Sequence, residues 1–136
     1  MHFGGYGDGD GRLNCPRHIA VDCNDNIFVS DSGNFRVQKF NGKGQFMAKF
    51  GEKGTNNGQL SCPAGIAVDS EGHIAVADLK NLSVQIFDPE GAFLKKLGDD
   101  SESKKGGVFG KPTGVAISGH GNVIVADRGQ HTIQVF

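Results

Sequence analysis

The groups able to do chemistry in this 136-residue chain are few, and they stand in series rather than in clusters. Asp31, Asp78 and Asp127 each end an apolar run, and Asn34 and Asn81 follow the first two at a spacing of three. Carboxylates so placed could ligate a metal, but Asp-x-x-Asn is also a turn in which the aspartate hydrogen-bonds its own backbone, and that is the reading taken. The five histidines, His2, His18, His73, His120 and His131, fall at unrelated places. A metal centre needs ligands that converge. Only His18 stands where ligands from several inner strands could converge, and the matching Gly65 and Gly114 cannot ligate through a side chain. Gly4–Gly11 has the look of a phosphate or calcium loop, yet no helix follows it and the calcium-ligand register is missing. An ordinary loop is expected there. Arg36 is expected to lay its guanidinium over backbone and aromatic neighbours. No Ser-His-Asp arrangement stands out, so no catalytic residue, metal site or cofactor is expected.

The elements that hold these residues come in three copies. Pro16-Arg17-His18-Ile19-Ala20-Val21-Asp22 returns as Pro63-Ala64-Gly65-Ile66-Ala67-Val68-Asp69 and again as Pro112-Thr113-Gly114-Val115-Ala116-Ile117-Ser118. Each copy runs to its Asp and closes on Phe40, Phe87 or Phe136. Offsets of 47 and 49 residues mark stacked units, none able to bury its apolar surface alone. Within a copy, four short runs suit β-strands, near 18–22, 26–31, 35–41 and 45–50 in the first. The first two are apolar on both faces and must be covered on both. Small Ala20, Ala67 and Ala116 on the first run, against Phe40, Phe46, Phe87 and Phe93 on the outer runs, suit sheets that converge on an axis. Such sheets are the blades of a β-propeller. Positive φ is expected at Gly72 and Gly121, and at Asp25 in the first copy.

Composition adds limits. With 14 basic and 15 acidic residues, no DNA or membrane partner is expected. No apolar stretch is long enough to span a bilayer and no signal-peptide pattern follows Met1, so a cytoplasmic chain is expected. Cys15, Cys23 and Cys62 form no Cys-x-x-Cys pair. Cys15 and Cys62 occupy equivalent places in successive units, which should hold them beyond the roughly 7 Å limit for a disulfide. Reduced, partly buried thiols are expected.

Pro-x-Gly-Ile-Ala-Val-Asp, then Ile-x-Val-Ala-Asp, then Asn34-Phe35-Arg36-Val37-Gln38-Lys39-Phe40 resemble the NHL repeat over essentially the whole chain. Ser83 and Thr132 depart from the motif at the place of Arg36, as does Ser118 at the turn aspartate. The spacer 50–60 is similar to those of tripartite-motif NHL proteins. In those proteins six repeats close a propeller behind a RING, B-boxes and a coiled coil. The resemblance implies an all-β fold of three four-stranded antiparallel blades, spanning residues 1–136 in repeats of about 3–50, 51–97 and 98–136. His2-Phe3-Gly4 matches the tail of an outermost strand, and no fourth run follows Phe136. The expectation is therefore half of a six-bladed propeller, prone to self-association through uncovered blade faces.

The resemblance also implies function: a non-catalytic recognition module for a protein or RNA, which in full-length relatives steers a RING ubiquitin ligase. One rim, built from the inter-unit loops and the turns after the second strands, would carry Arg17, His18, Asn34, Phe35, Lys80, Asn81, Lys111, Arg128 and His131. Asp8, Asp10, Asp99, Asp100 and Glu102 lie on it too. RNA recognition needs basic groups for phosphates and flat groups for stacking, and the rim has some of both. Its acids nearly cancel its bases, which favours a protein partner. Two alternatives stand beside this reading. One is a propeller enzyme of the amide-lyase or lactonase type, which would collect metal-binding histidines from several blades. The other is a purely structural, self-associating repeat.

Overall fold

The computed structural model describes residues 1–98 and 109–136, in which eleven strands form three antiparallel sheets. Sheet 1 is β1 (Pro16–Val21), β2 (Ile27–Asp31), β3 (Arg36–Phe40) and β4 (Phe46–Phe50), hydrogen-bonded in that order. Sheet 2 repeats it with β5 (Pro63–Val68), β6 (Ile74–Asp78), β7 (Ser83–Phe87) and β8 (Phe93–Leu97). Sheet 3 has β9 (Pro112–Ile117), β10 (Val123–Asp127) and β11 (Thr132–Val135). The all-β blade architecture expected from the repeats is present. Sheet 3 has three strands among the described residues rather than the expected four. A 3-10 turn at Ser32–Asn34 is the one helical element among the described residues. Asp99, Asp100 and Glu102 lie outside the described residues.

The hairpins owe their tightness to side chains that cap their own turns. Asp22 Oδ1 accepts the amides of Asn24 and Asn26, each at 2.9 Å. Asp69 does the same for Glu71 and His73, and Asp88 for Glu90 and Ala92. Asn41 serves Lys43 and Gln45, and Ser118 Oγ, at longer distances, serves His120 and Asn122. A short polar side chain thus replaces the backbone acceptor that a two-residue reversal lacks. Positive φ occurs where expected, at Asp25 (61°), Gly72 (88°) and Gly121 (84°).

The sheets stack face to face with their first strands adjacent. Between sheets 1 and 2 lie Phe28, Val37, Leu60, Ile66, Ile74, Val76 and Phe87, all buried. Between sheets 2 and 3 lie Ala75, Ala77, Val84, Leu97, Phe109 and Val125. Each large side chain in these layers contributes roughly 1.5–3 kcal/mol by leaving water. Among the described residues, sheet 2 is therefore the only sheet covered on both faces by another. The gap widens outward as the residue sizes predict. Phe50 stacks on Phe87 at 4.7 Å, and Phe93 meets Phe87 edge-on at 6.4 Å. Phe3, Phe40 and Phe46 repeat both contacts in sheet 1, at 4.9 and 6.3 Å.

At the narrow end the constraint is tighter. A Cβ on Gly65 would come 2.4 Å from the Thr113 carbonyl oxygen and 2.9 Å from Gly114 Cα. Both obstacles are backbone, so no rotamer change relieves them. Gly65→Ala should therefore force sheets 2 and 3 apart and destabilise the chain by about 1–3 kcal/mol in urea denaturation. An unchanged midpoint would show that the spacing between first strands is not set here.

Candidate functional site

The polar end of each sheet is organised around the carboxylate that closes its second strand. Asp78 is fully buried and accepts four amides, from Ser61 (2.7 Å) and from Cys62, Lys80 and Asn81 (3.0 Å each). Asp127 repeats the pattern with Gly110, Lys111, Gly129 and Gln130. Each carboxylate thus ties the turn after its own strand to the loop entering the same sheet's first strand. The turn reading of Asp78 and Asp127 holds, and the loop contact is what the sequence did not disclose.

Sheet 1 solves the same problem with different donors. Asp31 accepts the Asn14 amide at 2.7 Å, Asn34 Nδ2 at 2.9 Å, Arg36 Nε at 2.8 Å and Gln38 Nε2 at 3.0 Å. Arg36 also donates to the carbonyls of Asp8, Gly9 and Arg12, each at 2.9 Å. The expected packing over backbone is thus present, and a buried ion pair with Asp31 accompanies it. These contacts bind the glycine-rich segment 4–11, whose parallel bridge Tyr6–Leu13 matches Lys53–Leu60 before sheet 2. It is a loop, as expected, and it matches the one between sheets 1 and 2. In sheet 2, Ser83 stands at the place of Arg36, and its Oγ is buried without a partner.

The nine rim residues divide by what their side chains already do. Asn34 and Asn81 spend their amides on the Gly7 and Gly54 carbonyls. Phe35 is half-buried, with Lys53 Nζ 5.1 Å from its ring centre. Arg17, His18, Lys80, Lys111, Arg128 and His131 are exposed. They share the end of the stack at which Pro16 pairs with Asp31, Pro63 with Asp78 and Pro112 with Asp127. Phe35, Leu82 and His131 hold equivalent left-handed conformations, at φ 57°, 50° and 57°. Strain of this kind often marks a functional site. Its recurrence in every sheet assigns it to the turn instead. Asp10 forms an exposed pair with Lys49 at 2.7 Å, which adds little to stability.

Sequence reasoning passed over one cluster, Asp69, Glu71 and His73, whose ligand atoms lie within 4.8 Å of one another at the opposite end of the stack. The alternation Asp-x-Glu-x-His was the available signal. His73 Nδ1 sits 2.9 Å from Asp69 Oδ2, just as Asn26 Nδ2 donates to Asp22 Oδ2 at 2.9 Å in the equivalent turn. The cluster is a turn brace, which the equivalent turn of sheet 1 makes with an asparagine amide. Beside it a cleft of about 360 Å³ between sheets 2 and 3 is lined by residues including Asp69, His73, Ile86, Lys95 and Phe136. The cysteines are free. Cys15 and Cys23 are exposed and only Cys62 is half-buried, so partial burial fails for two of the three. The turns that carry Cys15 and Cys23 leave both side chains to solvent.

Burial pushes the carboxyl of Asp127 up, but the amides of Lys111, Gly110, Gln130 and Gly129 outweigh it and hold it below the ordinary value of 3.8. Asp22 and Asp69 are lowered in the same way, burial again opposing hydrogen bonds from their own turns. The unfolded chain lacks these donors and binds protons more tightly. The stability they contribute is therefore complete above about pH 4 and lost as pH falls through the lower native values. Urea midpoints should drop steeply in that window. Asp127→Asn should flatten part of the slope and lower the midpoint at neutral pH.

Removing Arg36 leaves Asp31 buried and short of a charged donor. Arg36→Met should destabilise by about 3–5 kcal/mol. Ser83→Ala removes a hydroxyl that has no partner and should be neutral or slightly stabilising by the same denaturation measurement.

A β-propeller protein of unknown function from Bacteroides thetaiotaomicron is similar at 20% identity with a TM-score of 0.74, over 94% of this chain and 37% of its own. Virginiamycin B lyase from Staphylococcus aureus is similar at 12% identity and a TM-score of 0.62, over 89% and 40%. A gluconolactonase from Xanthomonas campestris is similar at 13% identity and 0.62, over 85% and 36%. At these identities the likeness shows a shared fold, and this chain spans about two-fifths of the length of each. The model of the NHL repeat matches residues 13–40, 60–87 and 109–136, more than half of the sequence. Three NHL repeats, built as three stacked propeller blades, place this chain in the NHL-repeat family.

Proposed function

We propose that this chain is a non-catalytic recognition module whose rim, at the Asp31, Asp78 and Asp127 end of the sheets, binds a partner that presents anionic groups. The observation that carries the proposal is a separation of charge. The three motif carboxylates on that end are buried, while Arg17, Lys80, Lys111 and Arg128 are exposed around them. These three carboxylates are withdrawn from the surface, while the rim acids Asp8 and Asp10 stay exposed near the cations. Exposed cations with flat groups beside them, here His18 and His131, suit the phosphates and bases of single-stranded RNA. An acidic protein segment is the second reading, supported by exposed Asp8 and Glu52 on neighbouring loops, which would disfavour a densely charged polyanion. In a longer relative of the tripartite-motif kind, such a rim would choose the target of a ligase.

The enzyme alternative takes its interest from the lyase and the lactonase among the similar structures. Against it stands the use already made of the buried polar side chains. Asp31, Asp78, Asp127, Gln38 and Gln85 are each spent on loop amides or carbonyls.

Titration of the purified chain with labelled single-stranded RNA at several salt concentrations separates the readings. RNA recognition predicts log affinity falling linearly with log salt. Replacing Arg17, Lys80, Lys111 and Arg128 together by Gln should reduce that slope by about one unit for each phosphate no longer neutralised. Binding of an acidic peptide with no RNA affinity would favour the protein reading. Failure of the fourfold variant to weaken either ligand would remove the rim, and hydrolysis of a lactone by the wild-type chain would overturn the non-catalytic assignment.

A further inference from the structure

Equivalent positions in the three sheets have very different exposure, and the pattern has a direction. Ile19 on sheet 1 is 67% exposed, whereas Ile66, its counterpart on sheet 2, is 6% exposed against sheet 1. On the other side, Ile133 of sheet 3 is 67% exposed, whereas its counterparts Val84 and Val37 are fully buried. Sheet 1 thus lacks a neighbour on the face sheet 2 turns toward it, and sheet 3 lacks one on the face sheet 2 turns the other way. By the strand register, the open face of sheet 3 carries Ala116, Ile124, Ala126, Ile133 and Val135, with no charge among them. The open face of sheet 1 carries Ile19, Val21 and Ile27. The two open faces are the two halves of the interface that joins sheet 1 to sheet 2 and sheet 2 to sheet 3.

We propose that a second copy of this chain covers both, with sheet 3 of each copy packed on sheet 1 of the other, so that two copies close a ring of six sheets. The contact continues an interface already present twice within the chain, which is why a second copy is the occupant. The strand edge agrees. Phe3 stacks on Phe40 as Phe50 stacks on Phe87, so Phe3 holds the place of a last residue of a fourth strand. In sheets 1 and 2 that residue pairs with Val37 and Val84. By the same register, Phe3 of one copy falls opposite Ile133 of the other and extends the unpaired edge of β11. A head-to-tail interface either closes or grows into a filament, and we take this one to close at two copies.

Light scattering of the full chain during size-exclusion chromatography should give the mass of two chains, unchanged over a hundredfold dilution range. Ile19→Asp and Ile133→Asp should each abolish pairing, because every copy contributes both faces. Mixing the two variants should restore a heterodimer, since one interface then joins an intact sheet 3 to an intact sheet 1, and its formation also shows that both variants fold. Far-UV circular dichroism of each variant alone gives a second check on folding. A folded monomer at all concentrations would overturn the proposal, as would mass that rises without limit. Pairing of either variant with itself would also overturn it, because only a face-to-same-face contact survives a lesion on one side.

Discussion

Ile66, Ile74 and Val76 leave sheet 2 on one side while Ala75, Ala77 and Val84 leave it on the other, and all but the first are entirely out of water. A four-stranded sheet that is apolar on both faces cannot stand alone, because both faces would remain hydrated. The rest of the structure follows from that requirement. The sheets must stack, and the stack must taper if the first strands carry alanine and glycine while the outer ones carry phenylalanine. The polar groups are left to the two ends, where the turns and loops run.

Those ends are held by two related devices. Turns at one end are closed by a side chain accepting amides two and four residues further on, with aspartate, asparagine or serine in the role. At the other end a buried carboxylate accepts amides from both its own turn and the incoming loop. A buried charge survives only when its hydrogen-bonding capacity is filled. The four donors on Asp78 and the four on Asp127 meet that condition without a counter-ion. Asp31 takes the same number of bonds, mostly from side chains, with Arg36 among the donors. The node is constant while its donors vary, which explains how the place of Arg36 can be taken by Ser83 or Thr132. The rim cations around these nodes stay exposed.

Much of this was legible in the chain. The repeat, the four runs per unit, the small-to-large gradient and the positive φ at Asp25, Gly72 and Gly121 all follow from local chemistry, and the observed strands lie within two residues of those runs. The glycine-rich opening segment was readable as a loop for the same reason. The site was less legible. Arg17, Lys80, Lys111 and Arg128 could be assigned to one end from their place beside the strand termini. Whether the acids near them reach the surface depends on which amides point at which carboxylate, and those amides come from residues 16 or 17 positions away. The exposure of Cys15 and Cys23 was likewise invisible, because it turns on how a loop leaves its sheet.

By itself the amino-acid order determined the unit: four strands, their turns, and two apolar faces, since each is written in residues that are neighbours along the chain. Only the tertiary structure decided how these units meet. The 2.4 Å approach at Gly65, the pairing of Arg36 with Asp31 and the contrast between Ile19 and Ile66 all arise between segments of different sequence position. Identical local sequences become a buried core on one sheet and an open face on another, because burial is a property of the neighbour and not of the residue.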